Sequence, residues 1–419
     1  MFRKKLALIA ILCTFFAGNL QAEQIHSTWV GESRGDWETA INWNPALVPE
    51  NGANTFAVTI SGDVNVDLDE SHFIDQLDCY GNVRLGINNG GLSEWVILKV
   101  VGPNGLRNHG YLSTDSQVML DIEWNLVNFA GSTIDTAVNG GIDVDGNIEN
   151  AGLIISCPPV GLMSSEVHNV GQIIVYGGVC SIGEEIWDND STGIIRGFGT
   201  LAFGTRGVRT LINKGKIYTT GGGLTVATNG LSSNTGTIGN TTLTSLNLMH
   251  VGIPSDMSNF GTIEVNAGGG VAFDCNLVNE PNGTIKLLGG TLAGQTITQK
   301  AGASLQGFGG ITGDVVIDPD GIIKLTGPTN IIGDVTISSG ATLQISDGLT
   351  LITGQTTCNG TIHIKGGYLI PQGGLSGNCN IIWEPGLYTN VADFNLDGKV
   401  NLKDFAYFAD TWLWQTAWR

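Results

Sequence analysis

A motif of Asn, a short spacer and Gly recurs along most of this chain, and its period restricts the fold more than any other feature. It appears as Asn108-His109-Gly110, Asn150-Ala151-Gly152, Asn169-Val170-Gly171, Asn213-Lys214-Gly215, Asn234-Thr235-Gly236 and Asn259-Phe260-Gly261, with weaker copies between and after. With the glycine as marker, copies fall from 110 to 360 at separations of 19 to 25 residues. Apolar residues follow each marker at period two, as in Ile263 and Val265 then Val271, Phe273 and Cys275, or Leu343 and Ile345 then Leu349 and Leu351. That alternation belongs to strands with one buried face. A unit of about twenty residues encloses no core alone and has to stack on its neighbours. The expected fold is all-β, a right-handed parallel β-helix (solenoid) of about thirteen coils, whose Asn-Gly pairs provide left-handed corners. A β-propeller needs blades of about 40–45 residues, twice this period.

The flanks of the repeats differ from them. Arg3, Lys4 and Lys5 precede an apolar stretch from Leu6 to Ala17, and Gly18-Asn19-Leu20-Gln21 leads to the small Ala22. Residues 1–22 therefore read as a signal peptide, and the expected location is secreted, extracellular or at the cell surface. No later stretch is long and apolar enough for a transmembrane segment. Without the three leader cations, sixteen Lys and Arg face thirty-eight Asp and Glu, a net charge of −22. Binding nucleic acid needs a basic face that releases phosphate counterions, and no cluster of Lys or Arg provides one, so nucleic acid is excluded as a partner. Sixty-two glycines are about twice ordinary usage, without the every-third spacing of collagen. Beyond the leader lie Cys79, Cys157, Cys180, Cys275, Cys358 and Cys379. An exported chain permits disulfides, and six cysteines leave about fifteen pairings open.

Residues 23–104 are expected to form an N-terminal Trp-containing β cap with the first coils, residues 105–388 the repeats, and 389–419 a separate C-terminal module. In the first region stand Trp29-Val30-Gly31, Gly35-Asp36-Trp37 and Asn42-Trp43-Asn44-Pro45. Two readings apply: a platform on which sugar rings stack, or a cap over the open first coil. The cap is preferred, because a solenoid requires one. Stretches such as Gly307-Phe308-Gly309-Gly310-Ile311-Thr312-Gly313-Asp314-Val315 resemble the repeats of autotransporter passenger domains and related Gly-rich bacterial surface proteins. The Trp pattern is similar to one common at the N-termini of those surface proteins. The resemblance implies a β-helix and surface exposure, and no particular chemistry.

At the other end, Asp393-Phe394-Asn395-Leu396-Asp397-Gly398-Lys399-Val400-Asn401-Leu402-Lys403-Asp404 follows the grammar of a calcium loop. Asp393, Asn395 and Asp397 supply side-chain oxygens, Gly398 the sharp turn, Lys399 a backbone carbonyl, Asn401 a direct or water-mediated contact, and Asp404 the closing carboxylate. Leu402, Phe405, Ala406, Ala409 and Leu413 then fall at helical spacing. Asp at the twelfth position, where an ordinary EF-hand has Glu, resembles the dockerin type I repeat. That resemblance implies Ca²⁺ as cofactor and a cohesin-like or other cell-surface partner. A complete dockerin carries two such loops and this chain has one, which places cohesin docking in doubt and leaves attachment or capping as the module's role.

A carbohydrate-active enzyme, a polysaccharide lyase or glycoside hydrolase, is the alternative from another class. Such β-helix sites cluster carboxylates on one exposed sheet. The candidates are Asp143 with Asp145, and Asp314 with Asp318 and Asp334. The six histidines stand singly, at 26, 72, 109, 168, 250 and 363. No catalytic residue is assigned, and a structural or binding role, with polysaccharide as one candidate ligand, is the preferred reading.

Overall fold

The computed structural model describes residues 23–384 apart from 88–94, 116, 137–139, 157–161, 164–165, 183–185, 204–209, 229–231 and 251–255. These residues form a β-solenoid of about thirteen turns, with no α-helix among them. The chain divides into two compact units, one running to Leu231 and including Val251–Ile253, the other made of Ser232–His250 and the residues from Pro254 onward. Successive coils in each unit pair their strands in parallel.

Stacking in register converts the sequence periodicity into columns. In the second unit, Ile238, Ile263, Ile285, Leu305, Ile323, Leu343 and Ile362 lie one above another and all are buried. In the first, the equivalent column is Val83, Leu112, Ile134, Ile154, Ile173, Ile195 and Ile217, equally buried. Each such side chain contributes about 1.5–3 kcal/mol by leaving water, which is the main source of stability in a fold with so few charged contacts. One expected pair departs from the pattern. Thr350 and Ile352 are inward, whereas Leu349 is exposed and Leu351 only half-buried. The strand Gly348–Ile352 takes its register from Thr329↔Thr350 and Ile331↔Ile352. Gly348, in the left-handed region at φ 71°, resets the alternation carried over from Ile345.

The motif asparagines point inward instead of forming an exposed corner. Asn108, Asn128, Asn150, Asn169, Asn189 and Asn213 occupy one register position in the first unit and are completely or almost completely buried. From Asn108 to Asn189 each Nδ2 donates to the Oδ1 of the next coil, at 2.9 Å for Asn108 to Asn128 and 2.7 Å for Asn169 to Asn189. Several also donate to a backbone carbonyl further along, as Asn150 does to Gln172 O at 3.0 Å. The second unit repeats the device with Asn234, Asn259, Asn279 and Gln299. A buried amide is costly unless hydrogen-bonded, and the column meets that condition by supplying each amide with another.

The marker glycines serve two purposes: Gly131, Gly302 and Gly340 stand in the left-handed region expected of corners, at φ 82°, 74° and 83°, whereas others answer a different constraint. Gly110, Gly152, Gly171, Gly215 and Gly261 are not in the left-handed region. Their requirement is close stacking: a Cβ at Gly110 would collide with the carbonyl of Gly81, and one at Gly171 with that of Gly152.

Candidate functional site

The tryptophan region is a packed plug. Trp29, Trp37 and Trp43 are all buried, with Trp43 edge-on to Trp29 at 5.0 Å and to Trp37 at 4.7 Å between centroids. Trp43 Nε1 donates to Trp37 O at 2.7 Å and Trp37 Nε1 to Pro49 O at 3.2 Å. No face of these three rings is left for a sugar to stack on, which overturns the platform reading. Strand Gln24–Trp29 pairs in parallel with Thr55–Asp67, which joins the plug to the first coil strands.

Beneath the plug lies an ionisable cluster around the buried His72 that the sequence did not reveal. His72, at the start of strand His72–Gly86, stacks on Trp37 at 5.5 Å. Its Nδ1 is 2.9 Å from Glu50 Oε2 and its Nε2 3.0 Å from Glu38 Oε1. Burial lowers the imidazole pKa, but hydrogen bonds to Glu38 and Glu50 outweigh it and the net direction is up. Burial raises that of Glu38, yet His72 and the Asp69 N–H bring it below the usual range. The cluster fastens plug to coil. No sequence signal could have found it, since its members lie 22 and 34 residues apart without a shared motif.

The carboxylates proposed as enzymatic candidates fall into two arrangements. Asp143 stands outward on Gly141–Val144, in register with Asp121 and, one coil earlier, with Lys99. Lys99 Nζ lies 3.1 Å from Asp121 Oδ2 and 3.0 Å from Glu123 Oε1. Asp143 is pushed up to about 6, by burial first and then by the charges of Asp145 and Asp121. This column can hold and release one proton at Asp143 near pH 6. Asp314 and Asp334 do come together on adjacent coils, as their spacing implied, but each accepts a backbone N–H: Asp334 N donates to Asp314 Oδ1 at 3.0 Å and Gln355 N to Asp334 Oδ1 at 2.8 Å. Asp318 pairs with Lys300 at 2.6 Å. All three tie one coil to the next.

Two grooves lie in the second unit. One of about 410 Å³ is lined by small and neutral groups, among them Ser245, Asn247, Gly269, Thr291 and Ala293. The other, about 220 Å³, runs between Lys286, Leu288, Gln306 and the exposed Phe308. Lys286 is paired with Glu264 at 2.9 Å. Neither groove presents a nucleophile with a base beside it.

Cysteine chemistry is equally restrained. Cys358 and Cys379 form a disulfide, whereas Cys79 and Cys275 are buried free thiols. Burial pushes Cys275 up to about 11 and Cys79 higher still, which leaves both protonated at neutral pH and unreactive. Among the described residues no group of three His, Cys, Asp or Glu side chains is placed to hold a metal ion. The calcium-loop residues Asp393, Asn395, Asp397, Lys399, Asn401 and Asp404 lie outside the described residues, as do the leader and Cys157. No helix among those described is long and apolar enough to cross a membrane. No family model, curated protein or solved structure matches the chain.

Proposed function

We propose that this chain is a secreted or cell-surface structural and binding protein, in which a β-solenoid carries a C-terminal calcium loop for attachment or capping. The observation that carries the structural reading is the employment of Asp314, Asp318 and Asp334: three of the five carboxylates considered for an active site instead tie coils together. The calcium reading is supported by donor chemistry. Asp393, Asn395, Asp397, the Lys399 carbonyl, Asn401 and Asp404 form an all-oxygen set suited to a hard divalent cation. Calorimetry on the full chain should find one calcium site with a dissociation constant down to about 10⁻⁴–10⁻³ M in strength, the range of extracellular modules. Asp397→Ala should abolish it. No heat at millimolar calcium, or wild-type binding by Asp397→Ala, overturns the assignment. The carriage of a cohesin-like partner or a polysaccharide belongs to the same reading.

One observation favours the enzymatic alternative. Asp143, pushed up to about 6 by burial and by Asp145 and Asp121, keeps its proton into mildly acidic pH, as a general acid on a glycan would. Release of reducing ends from an acidic polysaccharide, lost in Asp143→Asn, would establish that reading in place of the first.

A further inference from the structure

Among the described residues nothing covers the last coil. Its strands Gly367–Pro371, Leu375–Ser376 and Asn380–Trp383 pair back to the preceding coil, and among the described residues nothing pairs with their other edge. The inward row is bare. Leu375, Ile381 and Trp383 are 41, 52 and 58% exposed, although each sits in register with a buried side chain one coil earlier, Thr356, Ile362 and Ile364. The Cys358–Cys379 disulfide fastens this coil to its predecessor, so the bare row stays in place. An open edge above an apolar row invites pairing with another chain.

We propose that residues 385–419 of the same chain cover this row, seating Leu402, Phe405, Ala406, Ala409 and Leu413 against Leu375, Ile381 and Trp383. The segment begins directly after Glu384 and is thirty-five residues long. Eight of the thirty-five are aromatic, against 7% for the whole chain, and three of the ten tryptophans fall at Trp412, Trp414 and Trp418. A segment this apolar needs a surface to bury against, and the nearest one along the chain is the bare coil. Two physical terms favour it over a second copy. The tether gives it an effective concentration of about millimolar. End-to-end contact between two chains, each carrying −22 without the leader, is opposed by charge. Calcium at Asp393–Asp404 would fix the start of the apolar stretch against the loop; this coupling rests on the calcium reading above, whereas the covering itself does not.

The test is hydrogen exchange on the full chain with calcium and with chelator, with calorimetry and solution mass measured alongside. Exchange across 375–383 should be at least tenfold slower in the wild type with calcium than in the double variant Phe405→Ser/Leu413→Ser. Exchange at 304–317, which is independently packed, serves as the internal reference and should be unchanged. Calcium binding without any difference at 375–383 between wild type and double variant overturns the covering and leaves the calcium reading standing. Protection lost in the double variant but indifferent to calcium, with no heat of binding, supports the covering and sinks the calcium reading. Protection that rises with protein concentration alongside a dimeric mass assigns the row to a second copy and overturns the proposal.

Discussion

Within the second unit one inward position is filled in two ways. From Asn234 through Asn259 and Asn279 to Gln299 it carries amides linked head to tail, and from Ile317 through Ile337 to Cys358 it carries apolar side chains at the same register. The first unit shows the same change at its start, where Ile60 and Cys79 precede Asn108 in register. The coil therefore sets the position and does not dictate its chemistry. An apolar residue there is satisfied by any apolar neighbour, whereas an amide is satisfied only by another amide or a free carbonyl. The amide column is cooperative, and its cost concentrates at its ends. In the first unit the amides begin at Asn108, whose Oδ1 accepts from Gly110 N at 3.2 Å. In the second they end at Gln299, whose Nε2, in register with Ile317, is buried without a hydrogen-bond partner.

The comparison breaks most severely if an amide is placed among apolar neighbours. Ile337→Asn puts one between Ile317 and Cys358, and should destabilise by about 4 kcal/mol, combining lost apolar burial with a desolvated amide. Denaturant unfolding of the full chain measures it. The reverse change, Asn169→Leu, removes the donor to Asn189 and the acceptor for Asn150. Each orphaned group costs about 1–3 kcal/mol, and a loss near 3 kcal/mol is expected by the same measurement.

Ile317→Asn sharpens the comparison. It would offer an acceptor to the unpaired Gln299 Nε2 and should cost about 1 kcal/mol less than Ile337→Asn. Equal losses at 317 and 337 would show that the column's open end has no energetic meaning.

The smallest effect separates neutral amides from a charged cluster. His72 has a raised pKa in the fold, so its stabilisation is complete below its ordinary value of 6.5 and disappears as pH rises through the folded value. Glu38 has a lowered one, so its share is present above 4.5 and disappears as pH falls through its folded value. The plug at Trp29–Trp43 should thus be held most firmly between about pH 4.5 and 6.5. Hydrogen exchange there should speed up above that window in the wild type and show no such rise in His72→Gln. Exchange around the amide column should not follow pH in this way once its intrinsic dependence is removed.

The coils were legible in the sequence because period two and period twenty are both local patterns, and Ile263 could be placed inside from its neighbours alone. The asparagines were legible as markers but not as core. Their partners lie 19 to 25 residues away, and burying an amide makes sense only when its counterpart is known to stack on it. The same holds for glycines such as Gly110 and Gly171, whose constraint comes from a carbonyl one coil below, whereas Gly131, Gly302 and Gly340 are the left-handed corners expected. Asp314 and Asp334 were correctly brought together, but the backbone N–H groups that claim them left no trace in the side-chain pattern. The Trp plug was half legible: the residue types permitted stacking on sugar or on one another, and only burial decides.

The amide column also acts as a ruler. Bonded asparagines are separated by 19 residues from Asn150 to Asn169, 24 from Asn189 to Asn213 and 25 from Asn234 to Asn259, yet the distance each bond spans stays at 2.7 Å. Length differences between coils must therefore be absorbed at the other corners, and every asparagine returns the chain to zero before the next coil starts. A residue gained or lost in one coil is an error confined to that coil. Such a chain can lengthen, shorten or acquire loops by whole or partial coils without renegotiating the rest of its core.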